Sequence, residues 1–544
     1  MNASVSVSGT WRRLGLVSAH VLYPALVAVL VVTAGLALVL LPVSWAASLT
    51  VAAGAFVLIL LRPVLGLYLL VLAIPFGSVK EVSVGVISVG GGEVLAVLTF
   101  AAWLAHMLAR REVRTVRAPL LVPLLAFLFV ASFSVIGALS LQWSLKGLLV
   151  WLELLAVYLL VVNLAGAREA RVVVFLILVA GGLEALLGIY QFLGRVGPEG
   201  FVLFDRFMRA YGTFDQPNPY GGYLALILPL ALSLFLGRWA WHGLWDVATW
   251  LLAALSLGLM GLALVMSWSR GAWLGFVAGA AVVAIVGFWY KAFSALRAGV
   301  LSGLGAGALG FAWLRTWGPG LVVASLLGPL AGVGTGVGVF VSVRRRWPWL
   351  VAAAVMLLVV MLIALAGDSL LPTAIANRFS DFLPYMQVID VRRVQLTDEN
   401  YAVVERLAHW EAAWGMLEDH PLLGVGVGNY VPTYPSYALP GWEDPLGHAH
   451  NYYLNVAAET GLAGLVVYVL LIGACFWQAW SATRLLTGPA QGVALGVLGV
   501  LGAFTVHSLF DNLYVHGMNM HLAILLGLLA VFVRERGESV VQTT

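Results

Sequence analysis

Gly447-His-Ala-His-Asn-Tyr-Tyr-Leu-Asn-Val-Ala-Ala-Glu-Thr-Gly-Leu-Ala-Gly464 closes the longest polar interval of an otherwise apolar chain. Beyond it the sequence runs into a stretch long enough to cross a bilayer, and apolar runs of about 18 or more residues recur along nearly the whole length. Composition agrees: 62% of residues are hydrophobic and 10% charged, with a mean hydropathy of +0.99, against roughly 25% charged in soluble domains. The expected fold is all-α, a polytopic membrane helical bundle. A transmembrane β-barrel would instead alternate apolar and polar residues in segments of about ten.

Working outward, the apolar runs fall at 21–42, 45–61, 63–76, 93–109, 119–139, 145–163, 172–192, 219–236, 247–267, 272–290, 298–314, 320–342, 349–366, 458–480, 489–509 and 518–533. That gives about 14–16 spans, the 63–76 run being short for a crossing. With the N-terminus inside, Arg12, Arg13, Arg62, Arg110, Arg111, Arg114, Arg117, Arg168, Arg171, Arg238, Arg297, Arg344, Arg345, Arg346, Arg484, Arg534 and Arg536 all fall on the cytoplasmic side, as the positive-inside rule requires. The expectation is a multi-pass protein of the cytoplasmic (inner) membrane with both termini cytoplasmic. The first apolar run is too long for a cleavable signal peptide. Cys475 is the only cysteine, so disulfides and cysteine-based metal sites are excluded. The net charge of +4 is accounted for by the cytoplasmic loops, and nothing points to nucleic acid.

This topology leaves 194–218 and about 367–450 outside. The chain then divides into an N-terminal transmembrane bundle (1–366), an external, periplasmic cap loop (367–450) and C-terminal transmembrane helices (451–544). In the cap, Val403, Leu407, Trp410, Trp414 and Leu417 recur at spacings of four and three, the mark of one apolar helix face. Glu405, Arg406, His409 and Glu418 lie off that stripe. The helix should stop at Asp419-His420-Pro421, because the residue before proline disfavours the α conformation. Gly424-Val-Gly-Val-Gly428 has no βαβ unit around it and no phosphate-loop lysine, so it reads as a turn. Glycines at GxxxG spacing in the 298–342 hairpin (Gly299, Gly303, Gly307, Gly328, Gly332, Gly336) suit close helix packing. No internal repeat of the transporter kind is present.

A few polar residues stand out against this background. Arg270 is the only charged residue between Val247 and Tyr290. It sits on the external side, where topology statistics do not favour it; it is either a phosphate ligand or an interfacial arginine reaching to water. Arg206 and Arg209 lie ahead of the 219–236 run, also outside. His450 stands at the lip of a helix, where a neutral imidazole can serve as a base near neutral pH. With an ordinary pKa near 6.5, such a base would fail on mild acidification. His448 is its internal competitor. The His-x-His pair could suggest a metal, but no cysteine or helical carboxylate stands at ligand spacing, and no metal is expected. Glu459 lies roughly 180° around an ideal helix from His450, so it is not expected to orient it. His507 and Asp511 can share one helix face at i,i+4, as supporting residues or as structural hydrogen-bonding partners.

The string His450-Asn451 followed by Leu454, Glu459, Gly461 and Gly464 resembles the signature of the O-antigen ligase and polymerase superfamily. Those are membrane glycosyltransferases that use undecaprenyl-diphosphate-linked glycans. Ser269-Arg-Gly-Ala272 resembles the family's second arginine motif. Arg209 with Gly212, Phe214 and Asn218 resembles the first, with Arg206 as the rival assignment. Arg406, Trp410 and Pro421-Leu-Leu-Gly-Val-Gly426 extend the likeness into the cap, so that it covers more than half the chain in the family's order. The resemblance implies a GT-C-type bundle with fewer spans than are read here, the 298–342 hairpin being the insertion. It also implies transfer without metal or cofactor, inverting at the anomeric carbon. Arg209 and Arg270 would bind the diphosphate and His450 would take the acceptor proton, supported by Arg206, Arg406, Asn451, Glu459, His507 and Asp511. The partners implied are a lipid-linked glycan donor and a lipid A–core or other surface acceptor. A polymerase joining two lipid-linked repeats is the alternative, and a lipid-glycan transporter a third.

Overall fold

A computed structural model describes residues 43–79, 82–111, 116–203, 207–237, 243–290, 391–397 and 400–543, with residues 28, 29 and 32 besides. The helices are α1 Val43–Leu61, α2 Pro63–Ala73, α3 Gly91–Arg110, α4 Leu121–Ser134, α5 Leu141–Leu164, α6 Ala167–Gly194, α7 Pro217–Ala225, α8 Leu228–Leu236, α9 Leu244–Met266, α10 Arg270–Trp289, α11 Tyr401–Asp419, α12 Tyr452–Leu485, α13 Gly488–His507 and α14 Met518–Thr543. Among the described residues strands are confined to two short antiparallel hairpins, β1 Val82–Val84 with β2 Ile87–Val89 and β3 Val202–Leu203 with β4 Phe207–Met208. The chain is an all-α membrane bundle. Among the described residues nine helical segments are long and apolar enough to cross a membrane, and three shorter apolar helices accompany them. Expected spans at 298–314, 320–342 and 349–366, nearly all of 21–42, and the glycine hairpin lie outside the described residues.

The expected span at 219–236 is two helices. α7 ends at Ala225 and α8 begins at Leu228, with Pro229 in the first turn of α8. Proline has no N–H to continue a helix and its ring crowds the preceding turn, so the break is written in the sequence. Among the described membrane segments the broken pair is the most buried, with 89% of the residues in its apolar stretch inside the protein. It can run there because its neighbours are thin. Gly271, Gly275 and Gly279 recur every fourth residue on α10, and a Cβ at Gly275 or Gly279 would run into the backbone of Ala503 or Gly499 on α13. Small residues at this interval let two helices approach closely; the stripe thereby seats His507, at the end of α13, against Gly271.

The cap helix α11 lies against α12, and it ends at Asp419 as expected. Its fully buried face overlaps the expected stripe only at Val403 and Leu417. Ala408, Ala412, Ala413, Met416 and His409 are inside, while Trp414 is 53% exposed. Close approach to α12 and to a buried tyrosine pair, Tyr430 and Tyr434, favours alanines at the contact and turns the large indole outward.

Residues 421–428 form an irregular loop, as expected, with Gly424, Gly426 and Gly428 at positive φ. The loop lies in a break of α12. At Gly461 the backbone leaves the helical region (φ 65°, ψ −170°), and the loop takes up the bonds the break frees. Val425 and Gly426 N–H donate to the carbonyls of Ala458 and Glu459, and Leu462 N–H donates to Pro421 O, each at 2.8–2.9 Å. The Glu459 carboxylate accepts from Gly428 N (2.9 Å) and Tyr430 N (3.2 Å). Asn429 ties the same loop to the start of α5, donating to Ser144 Oγ and accepting from Ser140 N.

Candidate active site

Three turns of chain meet at one end of the bundle. The first holds Arg209, just after β4. Its Nε donates to the carbonyl of Ser267 (2.9 Å) and its Nη2 to Asn218 Oδ1 (2.9 Å) at the start of α7. Ala210 N–H donates to Met266 O (3.0 Å), so the Arg209 loop is stitched along the α9–α10 turn. That turn is the second element, and it carries Arg270 as the first residue of α10. No side chain caps α10, so its first-turn N–H groups and positive dipole end lie beside a guanidinium. Two positive features at one place favour an anion there. Arg206 lies outside the described residues.

The third element is the turn from His507 to Gly517, between α13 and α14. His507 touches Gly271 and Gly222, which joins this turn to the arginine side. Asp511, one turn on, faces two histidines: His448 Nε2 at 3.5 Å and His450 Nδ1 at 3.9 Å from its Oδ1. Tyr452 N–H donates to Ser508 O (2.8 Å), fixing the start of α12 to the same turn. Arg406 reaches in from α11, with Nη1 on Ala402 O (2.6 Å) and Nε 3.5 Å from Phe510 O. The structure thus assembles Arg209, the Arg270 turn, Arg406, His448, His450, His507 and Asp511. Asn451 is the N-cap of α12, its Oδ1 accepting from Tyr453 N and Leu454 N. Glu459 faces the glycine loop, away from the histidines.

His450 is held in an unusual backbone state, with φ 53°, sparsely populated for a residue with a Cβ. Its own N–H donates to His448 Nδ1 (3.0 Å). That bond fixes a tautomer: Nδ1 of His448 accepts, so its ring proton sits on Nε2, the atom aimed at Asp511. The ligand atoms of His448, His450 and Asp511 all lie within 4.8 Å of one another. A nitrogen that carries a proton cannot ligate, however, and a metal-bound histidine ordinarily donates from its other nitrogen instead of accepting there. The trio fits a hydrogen-bonding set better than a metal site.

Both ring nitrogens of His450 are buried without a hydrogen-bond partner, as are those of His507. Burial, then the neighbouring His448, Arg406 and His409, hold the His450 pKa well below the usual imidazole value. His448 is lowered too, by burial, with Asp511 opposing and Arg406 reinforcing. His450 is therefore neutral at neutral pH, its lone pair available. His409, which the stripe reading placed off the buried face, stacks on Tyr434 (4.7 Å between ring centroids) and lies edge-on to His450 (5.6 Å). Its Nδ1 lies 2.9 Å from Tyr430 Oη. Its place three and four residues before the buried Ala412 and Ala413 is a signal only with the fold in view.

Residues 320–469 match the family model of the O-antigen ligase, Wzy_C. Over that stretch the chain is similar to the O-antigen ligase family. This supports the O-antigen ligase and polymerase superfamily, whose members are membrane glycosyltransferases of the ligase and polymerase type. No curated protein matches the chain. The described part of the matched stretch contains Arg406, His409, the glycine loop, His448, His450 and Glu459. Arg209, Arg270, His507 and Asp511 lie beyond its limits and reach it only through the fold.

Proposed function

We propose that the protein transfers a glycan from an undecaprenyl-diphosphate carrier to a lipid A–core or other surface acceptor, without metal and with inversion. The observation that carries this reading is the joining of the Arg209–Arg270 turns to the His450–Asp511 pair through His507 and Gly271. Arg209, Arg270 and the N-terminus of α10 hold the diphosphate and stabilise the charge that collects on it. The acceptor hydroxyl oxygen bonds to the anomeric carbon, the bond from that carbon to the phosphate oxygen breaks, and the diphosphate leaves on its lipid. The hydroxyl proton passes to a free ring nitrogen of His450. Asp511 faces the other side of the ring and offsets the positive charge it gains. His450 lies in the loop ahead of α12, where a polar acceptor can meet a membrane-borne donor. The arginine distribution supports a site on the periplasmic or exterior face of the cytoplasmic membrane, with both termini cytoplasmic.

The test is transfer by the purified protein, with a lipid-linked glycan, a lipid A–core acceptor and mass analysis of the product. The expected product is the acceptor carrying the glycan. Joining of two lipid-linked repeats, with the core left bare, would replace ligase by polymerase, and no transfer to either would overturn the reading. In intact cells carrying Cys475→Ser, a cysteine at Pro440 should react with an impermeant thiol reagent, and silence there would reverse the sidedness.

A further inference from the structure

Two polar residues of α6 have no part in the reading so far. Glu184 is 1% exposed and Gln191 5% exposed, seven residues apart and so on one helix face. Glu184 lies ten residues before the end of α6 at Gly194, about 15 Å along an ideal helix. Such a residue inside a membrane bundle is costly and calls for a partner. Both find theirs in the irregular backbone between β4 and α7. Gln191 Nε2 donates to Gly212 O (2.7 Å), and its Oε1 accepts from Gly212 N (2.7 Å) and Tyr211 N (3.2 Å). Glu184 Oε2 accepts from Thr213 N (3.0 Å). Gly212 is left-handed (φ 58°), and a Cβ there would collide with the Glu184 carboxyl and the Tyr220 ring. Irregular backbone within a bundle is tolerated only where something satisfies it, and here two side chains of one helix do so.

The protons can be counted. Thr213 Oγ1 contacts both Pro75 O and Glu184 Oε1, the latter at 2.9 Å. A carbonyl oxygen only accepts, and a hydroxyl has one proton to give. Thr213 Oγ1 can give that proton to Glu184 Oε1 or to Pro75 O but not to both; a protonated Oε1 donating back to Oγ1 would make both contacts hydrogen bonds at once.

We propose that Glu184, as a neutral carboxylic acid, and Gln191 are positioning residues that hold the 209–213 loop, and through it Arg209, in place for the diphosphate. This rests on Arg209 being a ligand of the diphosphate. Neutrality matters to the site: an ionised carboxylate beneath the loop would compete for the guanidinium and repel the phosphates, whereas the acid holds the backbone without adding charge.

Gln at position 184 reproduces the acid's pattern, its amide N–H donating to Thr213 Oγ1 and its oxygen accepting from Thr213 N. The experiment measures binding of undecaprenyl diphosphate, without glycan, to the full-length protein in nanodiscs. Infrared spectra are recorded beside it. Glu184→Gln should bind within about twofold of the parent, and Glu184→Ala and Gln191→Ala at least about tenfold more weakly. The spectrum of the parent minus that of Glu184→Gln should contain the carbonyl stretch of a neutral carboxylic acid. The proposal is overturned if Glu184→Gln binds as poorly as Glu184→Ala, if Glu184→Ala binds as well as the parent, or if the neutral-acid band is missing. If Arg209→Ala binds as the parent does, the diphosphate reading itself fails. The positioning role fails with it, and the infrared band still reports whether Glu184 is neutral.

Discussion

The arginine side and the histidine side of the site are built on opposite principles. On the arginine side, Arg209 is bonded to Ser267 and Asn218, and its loop is bonded to Glu184, Gln191 and the α9–α10 turn. On the histidine side, His450 and His507 keep both ring nitrogens without hydrogen-bond partners although they are buried. A buried polar atom left unpaired costs free energy, so its persistence marks a place reserved for something else. The contrast suits the proposed division of work, in which the rigid, satisfied side binds and the unsatisfied side reacts.

The largest effect should fall on the reacting side. His450→Ala should slow single-turnover transfer by roughly 10² to 10⁴, while undecaprenyl diphosphate binding changes little. His448→Ala should be milder, because that ring orients the His450 backbone and does not take the proton. If His448→Ala is the dead variant, the two histidines have exchanged roles. On the binding side, Arg270→Ala or Arg209→Ala should cost about 10² to 10³ in transfer, the scale for losing one stabiliser of developing charge. Lysine at either site should recover only part, since a point charge does not replace a planar fork. Full activity in Arg270→Ala would leave that arginine a surface group and dissolve the contrast.

The smallest effect is on pH. A base with an ordinary pKa would lose activity through about 6.5, but His450 is lowered by burial, so the transfer rate should stay level through that pH. Stability behaves otherwise. His409 is lowered to about 4, by burial and then His448, with Asp444 opposing and Arg406 reinforcing. A depressed folded pKa means that the unfolded chain binds the proton first as pH falls. Stability is therefore full above about 6.5 and is lost progressively down to about 4, which thermal melts of the detergent-solubilised protein across this range would detect. A melting temperature that rises on acidification would contradict the burial of neutral His409.

Much of this was legible in the sequence wherever one rule sufficed. Apolar length located α3, α5, α6, α9, α10, α12, α13 and α14, because a crossing helix must be long and apolar whatever it packs against. Pro421 ended the cap helix, and the sequence singled out His450 and, separately, the pair His507 and Asp511. Other features needed the partner in view. The break between α7 and α8 hides in a run whose hydropathy is continuous, with Pro229 its only trace. The buried face of α11 follows alanines, because the distance to α12, and not side-chain size, decides what fits. Glu184 and Gln191 look like blemishes in an apolar span until the loop they serve is folded beside them. Gly271, Gly275 and Gly279 carry a spacing the sequence displays, but its meaning lies in Gly499 and Ala503 over two hundred residues away.

The glycine loop seated in the break of α12 bears on how the protein moves. Its backbone completes the hydrogen bonding of a membrane helix, so lifting it would leave Ala458, Glu459 and Leu462 with bare peptide groups. Residues 421–428 therefore act as an anchor, and the cap is not a lid that swings free as one body. At the far margin of the cap, by contrast, Gly441 and Gly447 occur at positive φ with open space around them, so that margin is held by fewer contacts than the root.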